Sequence, residues 1–261
     1  MSILAIEFST THRTVAVLDP ATGRSGLAEQ TEGRSTDAFE LITQALERAS
    51  VMREAVTRVA VGLGPGSYTG IRNAIAIAQG WEFGRGAAAT WRSPNAGGCN
   101  ERSGGCQSDA TGVNGAAPPV NTVQLAGFSS VACLAYGLAG EGWRGFFRIV
   151  VDAQRGEFYV ADWRLTGGEP VEETPLRIVT KEAAREDLPE EAVLIGPDVP
   201  RLEPAVEPTF PSALVLARMA AAASEFVAGE ALEPIYLREV SFVKAPPLRA
   251  IPPVSPRGTD S

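Results

Sequence analysis

The feature that most constrains this chain is a local pattern that occurs twice, at domain spacing. Residues 3–8 form a short apolar run that contains Glu7, and a turn leads from it into a second apolar segment at 14–18. Residues 146–151 form another apolar run, which ends at Asp152 and is followed by a turn and a returning segment. This repetition predicts a duplicated unit, and therefore two lobes.

The order of elements in the first half indicates the fold of each lobe. After the first two strands, the pattern predicts a third strand near 26–29 and a helix that begins after Asp37. A strand at 58–62 and a helix at about 70–83 follow. Three antiparallel strands, a helix, a strand and a helix are the order of a ribonuclease-H-like domain. The predicted class is therefore α/β, an actin-like (ASKHA) fold of two ribonuclease-H-like lobes.

Composition sets the predicted domain limits. Residues 87–121 are rich in Gly, Ala, Ser, Asn and Pro without apolar periodicity, which predicts a disordered insertion. The N-terminal lobe, including this insertion, is predicted at 1–126 and the C-terminal lobe at 127–243, with a flexible Pro-rich tail at 244–261. Within the second lobe, helices are predicted at about 129–139 and 212–227, and a strand at 193–195.

Charge and residue counts exclude several classes of function. The formal charge of −8 gives no general surface for a nucleic acid, so RNA would have to be held by another protein. The single histidine, His12, cannot build a paired-histidine metal site, and the three cysteines are too widely spaced for structural zinc. We expect no metal and no cofactor. No apolar run is long enough to span a membrane and no basic leader precedes residue 3, which predicts a cytoplasmic protein.

A glycine-rich turn, Gly-Pro-Gly-Ser-Tyr-Thr-Gly at 64–70, follows a predicted strand and opens a helix. Backbone N–H groups at such a position can hold an anion. A P-loop is excluded, because three residues rather than four separate Gly66 from Gly70 and Ile71 stands where lysine is required. A dinucleotide fingerprint should lie in the first strand–helix unit, which this turn does not. The pattern favours a tight structural turn.

The helix after this turn is apolar on more than one side. One face carries Ile71, Ala74, Ile75 and Ala78, while Ile77 and Trp81 lie on another and Ala76 leaves a groove of small residues. Such a helix must be covered on more than one side. A partner protein and the rest of its own domain are both adequate covers on this pattern alone.

Polar residues at the end of the first strand allow two interpretations. An acid such as Glu7 can position Mg²⁺ and the neighbouring hydroxyls of Ser9, Thr10 and Thr11 can meet phosphate, as in actin-like phosphotransferases. Alternatively, the hydroxyls satisfy their own turn. The second interpretation is favoured, because no phosphate loop accompanies the acid.

Four segments together resemble the TsaB (YeaZ) family in order and spacing. They are residues 3–10, the block Val-Gly-Leu-Gly-Pro-Gly-Ser-Tyr-Thr-Gly-Ile-Arg at 61–72, Asp-Ala-Gln-Arg-Gly-Glu at 152–157, and Tyr-Leu-Arg at 236–238. The resemblance covers most of 3–239 outside the insertion and implies an actin-like fold. It also implies a non-catalytic scaffold that activates TsaD in the complex forming threonylcarbamoyladenosine next to the anticodon of tRNA.

The resemblance further implies which partners this chain has. A TsaD homologue would bind mainly through the helix after the glycine turn, which predicts contacts at Ile71, Ala74, Ile75, Ala78 and Trp81. A TsaE homologue would join them, and tRNA would be met only through the complex. Without its partner, the chain could form a homodimer through the same helix.

Two other functions remain as alternatives. One is an actin-like small-molecule kinase or ATPase that uses Glu7, Ser9 and Asp152. The other is a free-standing binding module, whose loss would leave tRNA modification normal in cells.

Overall fold

A computed structural model of the chain describes residues 1–31, 37–90 and 123–237. The strands and α-helices of these ranges are β1 (Ser2–Glu7), β2 (Arg13–Asp19), β3 (Arg24–Gln30), α1 (Ala38–Ala49), β4 (Val56–Gly62), α2 (Tyr68–Thr90), β5 (Gln124–Phe128), α3 (Ser130–Gly140), β6 (Gly145–Gln154), β7 (Glu157–Leu165), β8 (Val171–Thr180), β9 (Val193–Ile195) and α4 (Ala213–Ala222). No helix in these ranges is long and apolar enough to cross a membrane.

The strands form two sheets of related topology. The first has the order β3-β2-β1-β4-β5, and the second has the order β8-β7-β6-β9. In each sheet a meander of three antiparallel strands is followed by a strand that runs parallel to the first strand of the meander. The second sheet therefore repeats the arrangement of the first four strands of the first sheet. The predicted α/β class, with two ribonuclease-H-like sheets, is confirmed.

Helices cover the first sheet on both faces. Leu4 and Ile6 of β1 belong to the core under α1 and α2, whereas Ile3 and Ala5 pack on the opposite side against α4. Successive side chains of a strand point to opposite faces, so burial of both faces requires a continuous apolar run rather than an alternating one. The continuous apolar run of β1 at the start of the sequence therefore reflects burial on both faces of the sheet.

Several predicted element limits are confirmed and others shift. Asp37 caps α1, accepting a hydrogen bond from the Glu40 N–H at 3.3 Å. Helix α2 begins at Tyr68 and continues to Thr90, so it includes the first residues of the predicted insertion. The predicted 212–227 helix ends at Ala222, and it packs on the first sheet rather than the second. Residues 91–121 of the predicted insertion and the whole 244–261 tail lie outside the described residues, and the lobe limits stay predictions.

The strand β8 was not predicted from the sequence. It carries charged residues in its first half and a proline at position 175, and neither is typical of a central strand. The structure places β8 at an edge of the second sheet, paired only with β7 among the described strands. Edge strands tolerate proline because one row of their N–H groups has no ladder partner.

A buried ion pair fixes the centre of the second sheet. The Arg148 guanidinium on β6 donates to both carboxylate oxygens of Asp162 on β7, at 2.6 and 2.9 Å, and both residues are buried. Arg148 also donates to the carbonyls of Ala184 and Glu186, while Arg177 of β8 adds a second cation at 3.1 Å from Asp162. Burial opposes ionisation of Asp162, but the hydrogen bonds and charges of the two arginines outweigh it and lower the carboxyl pKa.

We expect Asp162→Asn to destabilise the chain by about 3–5 kcal/mol, because it leaves the buried Arg148 without a counter-charge. The free energy of unfolding from urea denaturation measures this. Glu173→Gln is the matched control, since Glu173 pairs with Arg164 on the same sheet, and both side chains of this pair are partly exposed to solvent. Its effect should be far smaller. Equal effects of the two substitutions would show that the buried pair contributes no more than a surface pair.

Candidate functional site

The carboxylate of Glu7 is fully buried at the end of β1. Its Oε1 accepts a hydrogen bond from the Ser9 N–H at 2.8 Å, and its Oε2 accepts one from the Ser130 hydroxyl at 2.8 Å. Ser130 opens α3, and its Oγ also accepts from the Gly64 N–H at 3.2 Å. Both carboxylate oxygens are therefore occupied within the fold, and Glu7 does not line the cleft described below.

Three glycines allow the loop before α2 to approach this strand end. A β-carbon at position 62 would overlap with the Glu7 carboxylate, and β-carbons at positions 66 and 70 would overlap with the carbonyl oxygens of Ser9 and Phe8. The Ser67 N–H donates to the Ser9 carbonyl at 2.6 Å, which ties the start of α2 to the turn after β1. The glycine spacing thus follows from close backbone approach, as the tight-turn interpretation predicted.

Burial raises the pKa of Glu7 above its ordinary value, and hydrogen bonds from Ser9 and Ser130 oppose the rise only in part. The folded chain therefore holds this proton more tightly than the unfolded chain does. The contribution of Glu7 to stability is most favourable at or below the ordinary carboxyl pKa and becomes less favourable as pH rises through the raised pKa.

A cleft of about 490 Å³ lies between the turn after β1 and the turn after β6. Ser9, Thr10 and Thr11 line it on one side, together with the start of α2. Asp152 and Asp198 line the other side, where the Asp152 N–H donates to an Asp198 carboxylate oxygen at 2.9 Å. Burial and the neighbouring Asp152 charge raise the pKa of Asp198, and the hydrogen bond from Asp152 opposes this. Of the residues predicted for a nucleotide site, Ser9, Thr10, Thr11 and Asp152 therefore line one cleft, whereas Glu7 does not line it.

A second, more apolar groove of about 600 Å³ runs between α1 and α2. Phe39 lines it on the α1 side, is 75% exposed, and belongs to no cluster of the core. On α2 the lining includes two small residues, Ala76 and Gly80, and both are exposed. The Arg53 guanidinium lies over the Trp81 ring, 4.8 Å from the ring centroid, and both residues line the groove.

The five residues that were predicted to contact a partner differ in whether they lie in the core or line the groove. Ile71, Ala74, Ile75 and Ala78 are buried in the core under the first sheet, with exposures of 6% or less. They cannot form a free contact surface, because α2 turns this face toward its own β-strands. Trp81 is 7% exposed but does line the groove. The outward face of α2 carries a different set, namely Asn73, Ala76, Ile77, Gly80 and Phe83.

His12 has partners that were not predicted. Its ring lies 3.6 Å from the Glu29 carboxylate and makes an edge contact with Phe210, with ring centroids 5.2 Å apart. Glu29 belongs to β3 and Phe210 to the segment before α4, so only the sheet pairing and the return of the chain bring them together. Among the residues that the structure describes, no group of three or more His, Cys, Asp or Glu could hold a metal ion.

Comparison with known proteins agrees with the fold described above. A family model described as TsaD, tRNA N6-adenosine threonylcarbamoyltransferase, matches residues 34–88, the segment that contains α1, β4 and most of α2. Two solved structures from Pseudomonas aeruginosa, one called YeaZ and one an uncharacterized protein with similarity to peptidase YeaZ, are each 24% identical to this chain. Their TM-scores are 0.65 and 0.66, over 90% and 91% of this chain and 99% of theirs.

The chain has the YeaZ fold. The resemblance seen in the sequence is therefore confirmed at the level of the whole structure, and both of these solved structures are matched over nearly their full length. No curated protein sequence matches the chain. The TsaD match covers the two helices that form the apolar groove.

We expect Glu7→Gln to change how stability depends on pH. Glutamine has no proton to lose, so the wild type should gain stability relative to the variant as pH falls from neutral toward the ordinary carboxyl pKa. Urea denaturation of both proteins at these pH values measures the difference. Glu47→Gln, at an exposed position of α1, is the control for the loss of a surface carboxylate. A constant difference between wild type and Glu7→Gln would contradict the raised pKa.

Proposed function

We propose that this chain is the TsaB (YeaZ) subunit of a complex that forms threonylcarbamoyladenosine next to the anticodon of tRNA. In this proposal it acts in the cytoplasm as a non-catalytic scaffold that binds and activates a TsaD homologue. A TsaE homologue joins the complex, and tRNA is bound by the assembly. The YeaZ fold and the TsaD-family match to residues 34–88 support this proposal.

The observation that carries the proposal is the apolar groove between α1 and α2. Phe39 lines the groove and is 75% exposed, and Phe83, further along α2 and outside the groove lining, is 78% exposed. Exposed aromatic side chains of this size are typical of protein contacts. Since the matched segment contains both helices, a TsaD homologue should present a similar helix pair. Two related helix pairs can pack against one another with their small residues at the crossing.

Gly80 supports close packing of a partner on α2. A β-carbon at this position would meet no atom within 4 Å, so the chain's own fold does not require glycine there. Glycine in a helix interior costs about 1 kcal/mol relative to alanine. A partner backbone that approaches α2 closely would explain why this cost is retained.

The alternative of a kinase or ATPase has less support. It requires a carboxylate that can reach a metal ion or a phosphate in the cleft, and both oxygens of Glu7 are occupied by Ser9 and Ser130 inside the fold. Asp152 does line the cleft, but its carboxylate is paired with Arg201 and accepts hydrogen bonds from Gln154. Magnesium-dependent ATP turnover that is lost in Asp152→Asn would favour this alternative.

Ala76→Arg should reduce capture of the co-expressed host TsaD homologue by at least about tenfold, because it places a charge and a long side chain in the centre of the groove. Affinity capture followed by size-exclusion chromatography measures this. Ala222→Arg, also at an exposed helical alanine, is the control and should bind normally. Normal capture by a folded Ala76→Arg variant would reject this surface. A homodimer that the same substitution dissociates would indicate a second copy as the occupant.

Gly80→Ala should stabilise the isolated chain by about 1 kcal/mol, because the added methyl group meets open space and raises helix propensity. Gly80→Leu should also fold, yet weaken capture of the TsaD homologue by filling the groove. Urea denaturation and the capture assay together separate the two effects. If Gly80→Leu binds as well as the wild type, no partner backbone approaches α2 at this position.

A further inference from the structure

A small pocket of about 300 Å³ beside the turn between β6 and β7 has a charge opposite to that of the whole chain. Arg155, Lys181 and Arg201 line it, and Asp152 is its one acidic lining residue. All three cations are exposed, whereas the chain carries a formal charge of −8. Glu182 follows Lys181 in sequence but does not line the pocket. The pocket is therefore locally positive on an acidic protein.

The turn that carries Arg155 is held in place by Asp152. The Asp152 carboxylate accepts hydrogen bonds from the Gln154 N–H at 2.9 Å and from the Gln154 side-chain amide at 2.8 Å. The same carboxylate pairs with Arg201, which draws that cation toward the turn. One acidic residue thus positions two sides of the pocket while neutralising only one of its three positive charges.

The backbone at Arg155 gives an independent sign of function. Arg155 and Gly156 connect the paired residues Gln154 and Glu157, and they have φ values of 59° and 81°. Two-residue turns with positive φ at both positions favour Asn, Asp or Gly at the first, where arginine is strained. Strain of this kind clusters at functional sites, and here it extends to the neighbouring Gln154, whose φ is 66°. The fold needs a turn here, but it does not need a cation at its tip.

We propose that the Arg155–Lys181–Arg201 pocket binds phosphate, and that its occupant is the phosphate backbone of RNA. The phosphate part rests on the pocket alone, since arginine and lysine side chains are the usual ligands of phosphate oxygens. The RNA part rests on the proposed function, because only a chain in a tRNA-modifying complex would meet RNA at this position. This gives the second lobe a direct contact with tRNA, whereas the α1–α2 groove lies on the first lobe.

The decisive variant is Arg155→Asn with Lys181→Gln. Asparagine fits the positive φ better than arginine, so the turn should be retained and the free energy of unfolding should not fall. Arg201 is left in place, because its removal would also disturb Asp152. Arg24→Gln with Arg218→Gln removes two exposed cations elsewhere on the chain and serves as the control.

The measurement is the affinity of the complex with the host TsaD homologue for an unmodified tRNA transcript, from fluorescence anisotropy over a range of KCl concentrations. Each phosphate contact contributes about 0.9 to the slope of log K against log salt. The slope should therefore decrease by about 2 in the Arg155→Asn/Lys181→Gln complex and stay unchanged in the control. An unchanged slope for both complexes would overturn the RNA assignment.

A second arm titrates the isolated chain with inorganic phosphate. Saturable binding that is lost in Arg155→Asn/Lys181→Gln, without a change in the tRNA slope, would assign the pocket to a small phosphorylated molecule. Absence of both effects would overturn the phosphate site. If the double variant instead loses its TsaD homologue, the pocket binds protein and the proposal is wrong. If the wild type forms no complex, the proposed function fails, and the titration still decides whether phosphate binds.

Discussion

The arrangement of the first lobe depends on the buried Glu7 carboxylate. Through Ser9 it holds the turn after β1, and through Ser130 it holds the start of α3 and the loop that leads to α2. A buried carboxylate is costly unless its oxygens accept hydrogen bonds, and here both do. Because the Ser9 carbonyl in turn accepts from the Ser67 N–H, the position of α2 and of its outward face follows from this one group.

The same constraint changes how the glycine-rich motif is understood. Glycines before a helix often mark an anion site, but those at positions 62, 66 and 70 lie against Glu7, Ser9 and Phe8, where a β-carbon would overlap with an oxygen atom. Their spacing therefore matches the backbone of β1 rather than a phosphate. The structural interpretation made from the sequence was the better one, although the sequence could not indicate which atoms required the glycines.

Periodicity predicted the fold well because the first sheet is covered on both faces, which makes β1 a continuous apolar run, and because α1 is amphipathic. It failed where the signal depends on long-range pairing. Strand β8 contains Pro175, which is not typical of a strand unless the strand lies at a sheet edge. The contact between His12 and Glu29 depends on the pairing of β2 with β3. The two apolar faces of α2 were recognised in the sequence. The sequence did not indicate which of these faces packs on the sheet. A helical pattern shows which residues share a face, but it does not show which element covers that face.

Charge is distributed unevenly, and this distribution links the two proposals. The groove between α1 and α2 is apolar and built from Phe39, Ala76 and Gly80, which suits a protein partner. The pocket at the β6–β7 turn combines Arg155, on a turn that Asp152 holds in place, with Lys181, which follows β8, and this suits an anion. An acidic chain would repel RNA over most of its surface, so a local cationic pocket would act only on RNA already held by a partner. A protein partner must therefore bind the groove before RNA can reach the pocket. The contribution of the pocket to tRNA affinity should be detectable only in the complex.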